Sequence, residues 1–227
     1  MGSPTSFTRL ITALRKFYGT PDPPPVTEPF EQVLWENVAY LADDAKRARA
    51  FAALRQTVGT CPQEILKAKP AQLLAVTRIG GIFPELRAKR LRQCAEIADT
   101  LLKGKLNAIL GESLAQAKKT LRHFPTVGEP GAEKILMFAG LYPVFGIESN
   151  GLRVLLRVGF GQEQKSYSAS YRAVQSALSG QLADDCKSLI AAHQLLRRHG
   201  QELCKRSRPL CTSCPVRDSC AFGSSNS

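Results

Sequence analysis

Residues Cys204–Cys220 read CKRSRPLCTSCPVRDSC, placing four cysteines at 204, 211, 214 and 220 with six, two and five residues between them. Thiolates are soft ligands that select zinc or iron–sulfur clusters, so four of them this close together predict a metal centre. The start of the chain does not suggest an oxidising destination. From Met1 to Tyr18 charged and apolar residues alternate, with no unbroken apolar stretch leading to a small-residue cleavage site. No run of ~18 apolar residues exists, so no membrane partner is expected. A reducing, cytoplasmic compartment follows, nucleoid-associated if the source is bacterial, where disulfides are rare. Cys61, Cys94 and Cys186 stand alone in apolar or mixed helical stretches and are expected to be buried thiols that pack as small hydrophobes.

N-terminal to the cysteines, almost everything reads as helix. Apolar residues at Phe30, Val33, Leu34, Val38 and Leu41, then at Phe51 and Leu54, follow the three/four spacing of amphipathic helices. Similar stripes run through Ile65–Val76, Leu86–Leu102, Leu106–Leu121, Ala132–Leu141, Leu152–Val158, Tyr171–Leu182 and Leu189–Leu203. Short glycine and proline breakers separate them, and no alternating strand is visible. The fold class is therefore all-α. Thr20–Pro25 (TPDPPP) is a stiff extended linker, and the last residues, 223–227, are a polar tail.

The most informative internal stretch is Leu121–Phe138, LRHFPTVGEPGAEKILMF. A helix ends near Phe124, a hairpin follows over Pro125–Gly131, and Ala132 opens the next helix, with Val127 plugging the gap between the two. Gly128 and Gly131 permit close backbone approach, and free N–H groups at a helix start suit a phosphate. Any helix–turn–helix needs glycine, so the hairpin alone decides nothing. Its setting adds weight: 31 Lys and Arg against 19 Asp and Glu leave a net charge of +12, which favours a polyanionic partner.

Taken together, these motifs resemble the helix-hairpin-helix DNA glycosylases that carry a 4Fe-4S cluster, the endonuclease III and MutY-type superfamily. The cysteine spacing is similar to that family's cluster motif without a gap. FPTVGEPGA resembles its LPGVGxxTA hairpin, and Ile147–Val154 (IESNGLRV) resembles the VDxxxxRV segment bearing its catalytic aspartate. Pro29–Val38 falls where the MutY type has its pocket helix. The resemblance implies a 4Fe-4S cluster on Cys204, Cys211, Cys214 and Cys220, structural because four cysteinates leave no iron open to substrate. It also implies a duplex DNA partner containing a lesion or mismatch, and a monomeric enzyme.

The same resemblance assigns roles. Glu148 takes the place of the catalytic aspartate and lies just before a helix, whose positive end keeps a carboxylate ionised to stabilise a developing sugar cation. Glu36, beside Trp35 at the margin of an apolar stripe, falls on the acid that protonates the leaving base in the MutY type. Tyr40, Asn37 and Asn150 fall in the base pocket, Tyr40 replacing the usual glutamine. DNA contacts are expected from Thr126, Val127, Gly128, Gly131 and Lys134, and from Lys205, Arg206 and Arg208 between the first two cluster ligands. Arg87, Lys89, Arg90, Arg92, Arg153 and Arg157 are further candidates for phosphate contact.

Two departures shape the expected chemistry. The lyase lysine of bifunctional members is replaced by Pro130, which has no amine to form a Schiff base. Glu148 is one methylene longer than the aspartate it replaces. The expected function is monofunctional hydrolysis of an N-glycosidic bond without lyase chemistry, with a catalytically silent DNA-binding protein of the same fold as the alternative. The expected layout is an N-terminal helix and linker (1–27) that join a cluster domain (143–222), a six-helix domain (28–142) holding Glu36 and the hairpin, and an active site in the cleft between lobes.

Overall fold

The computed structural model describes residues 6–225; residues 226 and 227 of the expected tail lie outside them. Thirteen α-helices, a π turn and two 3₁₀ turns make up the described chain, with no β-strand among these residues. No described helix is long and apolar enough to cross a membrane. The chain divides into two compact units, one spanning Pro25–Leu141 and the other joining the residues up to Pro24 with those from Tyr142 onward.

The Pro25–Leu141 unit contains α2 (Pro29–Val38), α3 (Asp44–Thr57), α4 (Pro62–Lys67), α5 (Pro70–Ile79), α6 (Pro84–Glu96), α7 (Leu106–Leu110), α8 (Leu114–Leu121) and α9 (Glu129–Phe138). Four of these helices open on proline, at Pro29, Pro62, Pro70 and Pro84, where the missing N–H costs nothing. Helices outnumber the six expected because two stripes are interrupted. Pro70 cuts Ile65–Val76, and Gly111 ends α7 before Ser113 caps α8 through the Gln116 N–H. Val33, Leu34, Leu54, Leu91, Leu121 and Ile135 form the buried centre.

Arg87 is the largest buried side chain of this unit, 1% exposed. Its guanidinium donates to the carbonyls of Val38 (2.6 Å), Gly81 (2.6 Å) and Ile82 (2.7 Å), fastening the end of α2 to the turn before α6. Gly80 makes the approach possible, since a Cβ there would lie 2.3 Å from the Val38 oxygen and 2.5 Å from Arg87 Nη1. Arg92 donates to Leu66 O (3.0 Å) and Ala68 O (2.7 Å) at the end of α4. Neither arginine is the phosphate contact expected: both donate to backbone carbonyls, at helix ends for Val38, Leu66 and Ala68 and in a turn for Gly81 and Ile82.

In the other unit, α1 (Phe7–Tyr18) and α10 (Ser149–Val158) both pack on α12 (Cys186–Glu202), with α11 (Tyr167–Leu178) beside α10 and α13 (Ala221–Ser225) at the end. The α10 and α12 backbones approach closely at Gly200, where a Cβ would meet that of Asn150 at 2.7 Å. Phe7 packs edge-on against Phe145 and Phe160 at 5.5 and 6.2 Å, tying the N-terminal helix to this core. Cys94 is buried as expected, but Cys61 is exposed and Cys186 half-buried. Cys61 is the N-cap of its helix and Cys186 the first residue of its own, so neither sits within an apolar stripe.

Candidate active site

The hairpin joins α8 to α9, with Val127 buried beneath it. Thr126 adopts φ +67, a left-handed conformation that β-branched residues rarely take, and it stands where the LPGVGxxTA pattern has its first glycine. Thr126 Oγ1 donates to Asn37 Oδ1 (3.3 Å), while Asn37 Nδ2 donates to Val33 O (2.9 Å) and Pro125 O (3.0 Å). Asn37 is buried, and its amide clasps the hairpin to α2. Gly128 and Gly131 are not in the left-handed region, and a Cβ on either would meet nothing closer than 3.6 Å, so the local backbone does not require glycine at either position.

Pro130 lies in the first turn of α9, with Lys134 one turn further on the same face. Lys134 Nζ donates to Glu36 Oε1 at 2.7 Å, joining α9 to α2. Near the start of α9, Lys118 of α8 pairs with Glu129 (3.1 Å) and with Glu133.

Tyr40 follows α2 and is bridged to Gly81, its N–H donating to Gly80 O at 3.1 Å. Its ring is exposed and lies 6.3 Å from that of Phe83. Leu41, Ile82 and Phe83 are exposed as well, and Leu41 and Phe83 hold left-handed φ values of +47 and +55. This apolar edge escaped the sequence reading, although Ile82-Phe83 directly after a Gly-Gly turn, where polar residues are the norm, is a visible signal.

In the other unit, Glu148 is the N-cap of α10. Its Oε1 accepts the Gly151 N–H at 2.6 Å and its Oε2 accepts Asn150 Nδ2 at 2.9 Å. Asn150 Oδ1 accepts Arg153 Nη2 at 2.8 Å, and the same guanidinium donates to Gly200 O (2.7 Å) and Cys204 O (2.9 Å). Arg153 is thus committed inside the fold, where burial holds its pKa below the usual arginine value. The phenol of Tyr167 is pushed up to about 12 by burial and then by the nearby Glu148 charge.

Cys204, Cys211, Cys214 and Cys220 line one small cavity, walled by apolar side chains including Val154, Leu210, Val216 and Phe222. Among the described residues, no three or more His, Cys, Asp or Glu side chains are grouped so as to hold a metal ion. N–H donors surround the cavity. His199 Nε2 lies 3.6 Å from Cys214 Sγ with Tyr18 Oη 3.1 Å from its Nδ1, and burial lowers His199 to about 4, keeping the ring neutral. Arg157 Nη1 lies 3.5 Å from Cys204 Sγ and 2.7 Å from Lys205 O, its Nη2 reaches Arg206 O at 3.0 Å, and the guanidinium covers the Phe222 ring. Arg157 is a strut for the basic loop and not an open phosphate contact. Lys205, Arg206 and Arg208 in that loop are exposed. An apolar cage with N–H donors aimed at its sulfurs fits an anionic iron–sulfur group.

No protein-family model matches the chain. Endonuclease III of Sulfolobus acidocaldarius is 24% identical over 194 residues, covering 85% of this chain and 82% of that one. Endonuclease III of Thermotoga maritima is 24% identical over 196 residues, covering 86% and 84%. Among solved structures, a non-covalent endonuclease III–DNA complex superposes with a TM-score of 0.76 at 19% identity, over 99% of this chain and 98% of that one. In sequence over most of its length and in fold over nearly all of it, the chain is similar to helix-hairpin-helix DNA glycosylases of the endonuclease III type.

Proposed function

We propose that this protein is a monofunctional DNA glycosylase that hydrolyses the N-glycosidic bond of a damaged, mismatched or modified base in duplex DNA, acting as a monomer. The observation that carries the reading is Glu148, fixed at the start of α10 by two N–H donors and by the positive end of that helix. As the bond to the base stretches, positive charge builds on the sugar, and an oriented carboxylate stabilises it where it develops. The extra methylene relative to aspartate is absorbed by the capping bonds, which hold the longer side chain in one place.

The leaving base needs a proton. Glu36 supplies it in this reading, and Lys134 keeps the side chain oriented in the free protein. Pro130 offers no amine, so water takes the place of the lyase nucleophile. Reaching the bond requires extruding the nucleotide. The exposed Tyr40 and Phe83 rings provide surfaces that stack in the vacated duplex or on its neighbours. The four cysteines would hold a 4Fe-4S cluster, which supplies a rigid frame rather than substrate chemistry. Arg157 transmits that rigidity to the Lys205–Arg208 loop.

The reading is tested on duplex oligonucleotides carrying single lesions, with alkali added to cleave any abasic sites. Base release by the wild type that falls at least a hundredfold in Glu148→Gln is expected. Tight duplex binding with no base released by either the wild type or Glu148→Asp overturns it. Iron and sulfide analysis with visible absorbance tests the cofactor, and stoichiometric zinc in place of iron overturns that part alone.

A further inference from the structure

A polar groove of about 490 Å3 follows the flank of α10 to the 163–166 loop and the first turn of α11. Arg153, Arg157, Lys165 and Arg206 line it against a single carboxylate, Glu163. The two α10 arginines have donors committed to carbonyls, but their charge still acts on the groove. Lys165 and Arg206 are exposed.

The loop that carries Lys165 is built, not loose. Ser170 Oγ accepts the Gln164 N–H at 2.8 Å and lies 3.4 Å from Gln164 O. Gly161, at φ +79, lies so close to α11 that a Cβ there would meet the Ala173 backbone at 3.0 Å. Ser166 then caps α11. One end of the groove adjoins the candidate catalytic carboxylate, because Ser149 lines it and Tyr167 feels the Glu148 charge. Arg206 of the basic loop also lines it.

We propose that this groove seats the sugar–phosphate backbone of the lesion strand beside the extruded nucleotide, with Lys165 and the Tyr167 hydroxyl holding one phosphate. The assignment rests on the glycosylase reading and extends it to where the strand runs. An open trough lined by four cations and one carboxylate suits a chain of phosphates better than a single small anion, for which it offers no enclosing cage. The Tyr167 hydroxyl donates to Ile147 O at 3.4 Å in the free protein, a long bond that a phosphate oxygen would replace.

The test uses the full chain and a duplex bearing a stable abasic-site analogue, with single neutral methylphosphonates walked along the lesion strand. Lys165→Gln is expected to weaken binding severalfold at low salt and to flatten the dependence of log affinity on log salt by about one unit. One methylphosphonate position is expected to cost the wild type affinity and to cost Lys165→Gln nothing, with a smaller version of the same pattern in Tyr167→Phe. Equal losses from Lys165→Gln and from Lys16→Gln, an exposed lysine on α1, overturn the proposal, as do penalties identical at every position in wild type and variant. If the wild type releases bases but Lys165→Gln binds as it does, only the groove assignment falls. A wild type that neither binds the abasic duplex nor releases any base overturns the glycosylase reading as well.

Discussion

Lys134 reaches across from α9 to donate to the Glu36 carboxylate at 2.7 Å, with the two side chains only 17% and 27% exposed. If Glu36 protonates the leaving base, this ion pair fixes where its carboxyl group stands. Glu36→Gln is therefore expected to slow base release by about 100-fold or more. Lys134→Gln, which frees the carboxyl to rotate, should slow it by less. Base release by Glu36→Gln at the wild-type rate dissociates Glu36 from proton transfer.

Pro130 and Lys134 lie one turn apart on α9, and only the second carries an amine, already held by a carboxylate. The wild type is expected to form no adduct with abasic DNA that borohydride can trap, and its products should need alkali before the strand breaks. Pro130→Lys restores an amine within the first turn of α9, where replacing proline costs little. That variant should yield a trappable covalent complex. Trapping by the wild type that vanishes in Lys134→Gln would instead assign the nucleophile to Lys134.

Arg87 shows how far a sequence reading can mistake a charge. Arg87→Met leaves the buried Val38 carbonyl without this donor and the part-buried Gly81 and Ile82 carbonyls to water, and should destabilise the protein by about 1–3 kcal/mol. Arg87→Lys should recover only part of this, since one ammonium cannot span three acceptors set for a planar fork. Denaturant midpoints at neutral pH check both. A midpoint for Arg87→Met equal to that of the wild type would mean that water replaces the guanidinium.

The contrast with the cysteines has a physical cause. Ligand spacing within seventeen residues is a local property, so the motif at 204–220 announced one shared cavity before any fold was known. The helical stripes are legible for the same reason, and they fail where Pro70 and Gly111 break the register, at Leu41, which lies exposed beyond the end of α2, and after Glu96, where α6 passes into a π turn. Whether an arginine faces a phosphate or a carbonyl is set by chain segments far apart in sequence. Arg87, Arg92, Arg153 and Arg157 turn inward for this reason, whereas Lys205, Arg206 and Arg208 stay exposed. The resemblance puts Asn37 and Asn150 in the base pocket without showing their bonds in the free protein, where Asn37 clasps the hairpin and Asn150 donates to Glu148.

Glu31 offers a pH test confined to the Pro25–Leu141 unit. Burial raises its pKa, but hydrogen bonds from Arg55 and from Thr60 (2.8 Å) outweigh this, so the folded value lies below the ordinary one of about 4.3. A carboxylate with a depressed folded pKa contributes stability that is fully present above the unfolded pKa. That contribution is lost as pH falls through the folded value, because the unfolded chain takes up the proton first. Glu31→Gln has no such proton to bind. The stability difference between wild type and Glu31→Gln should therefore be constant from neutral pH to about 5 and shrink steadily below about 4.3. Urea midpoints of the two proteins measured over that range decide it: a gap that does not close in acid means that the Arg55 and Thr60 bonds do not hold the carboxylate in its ionised form.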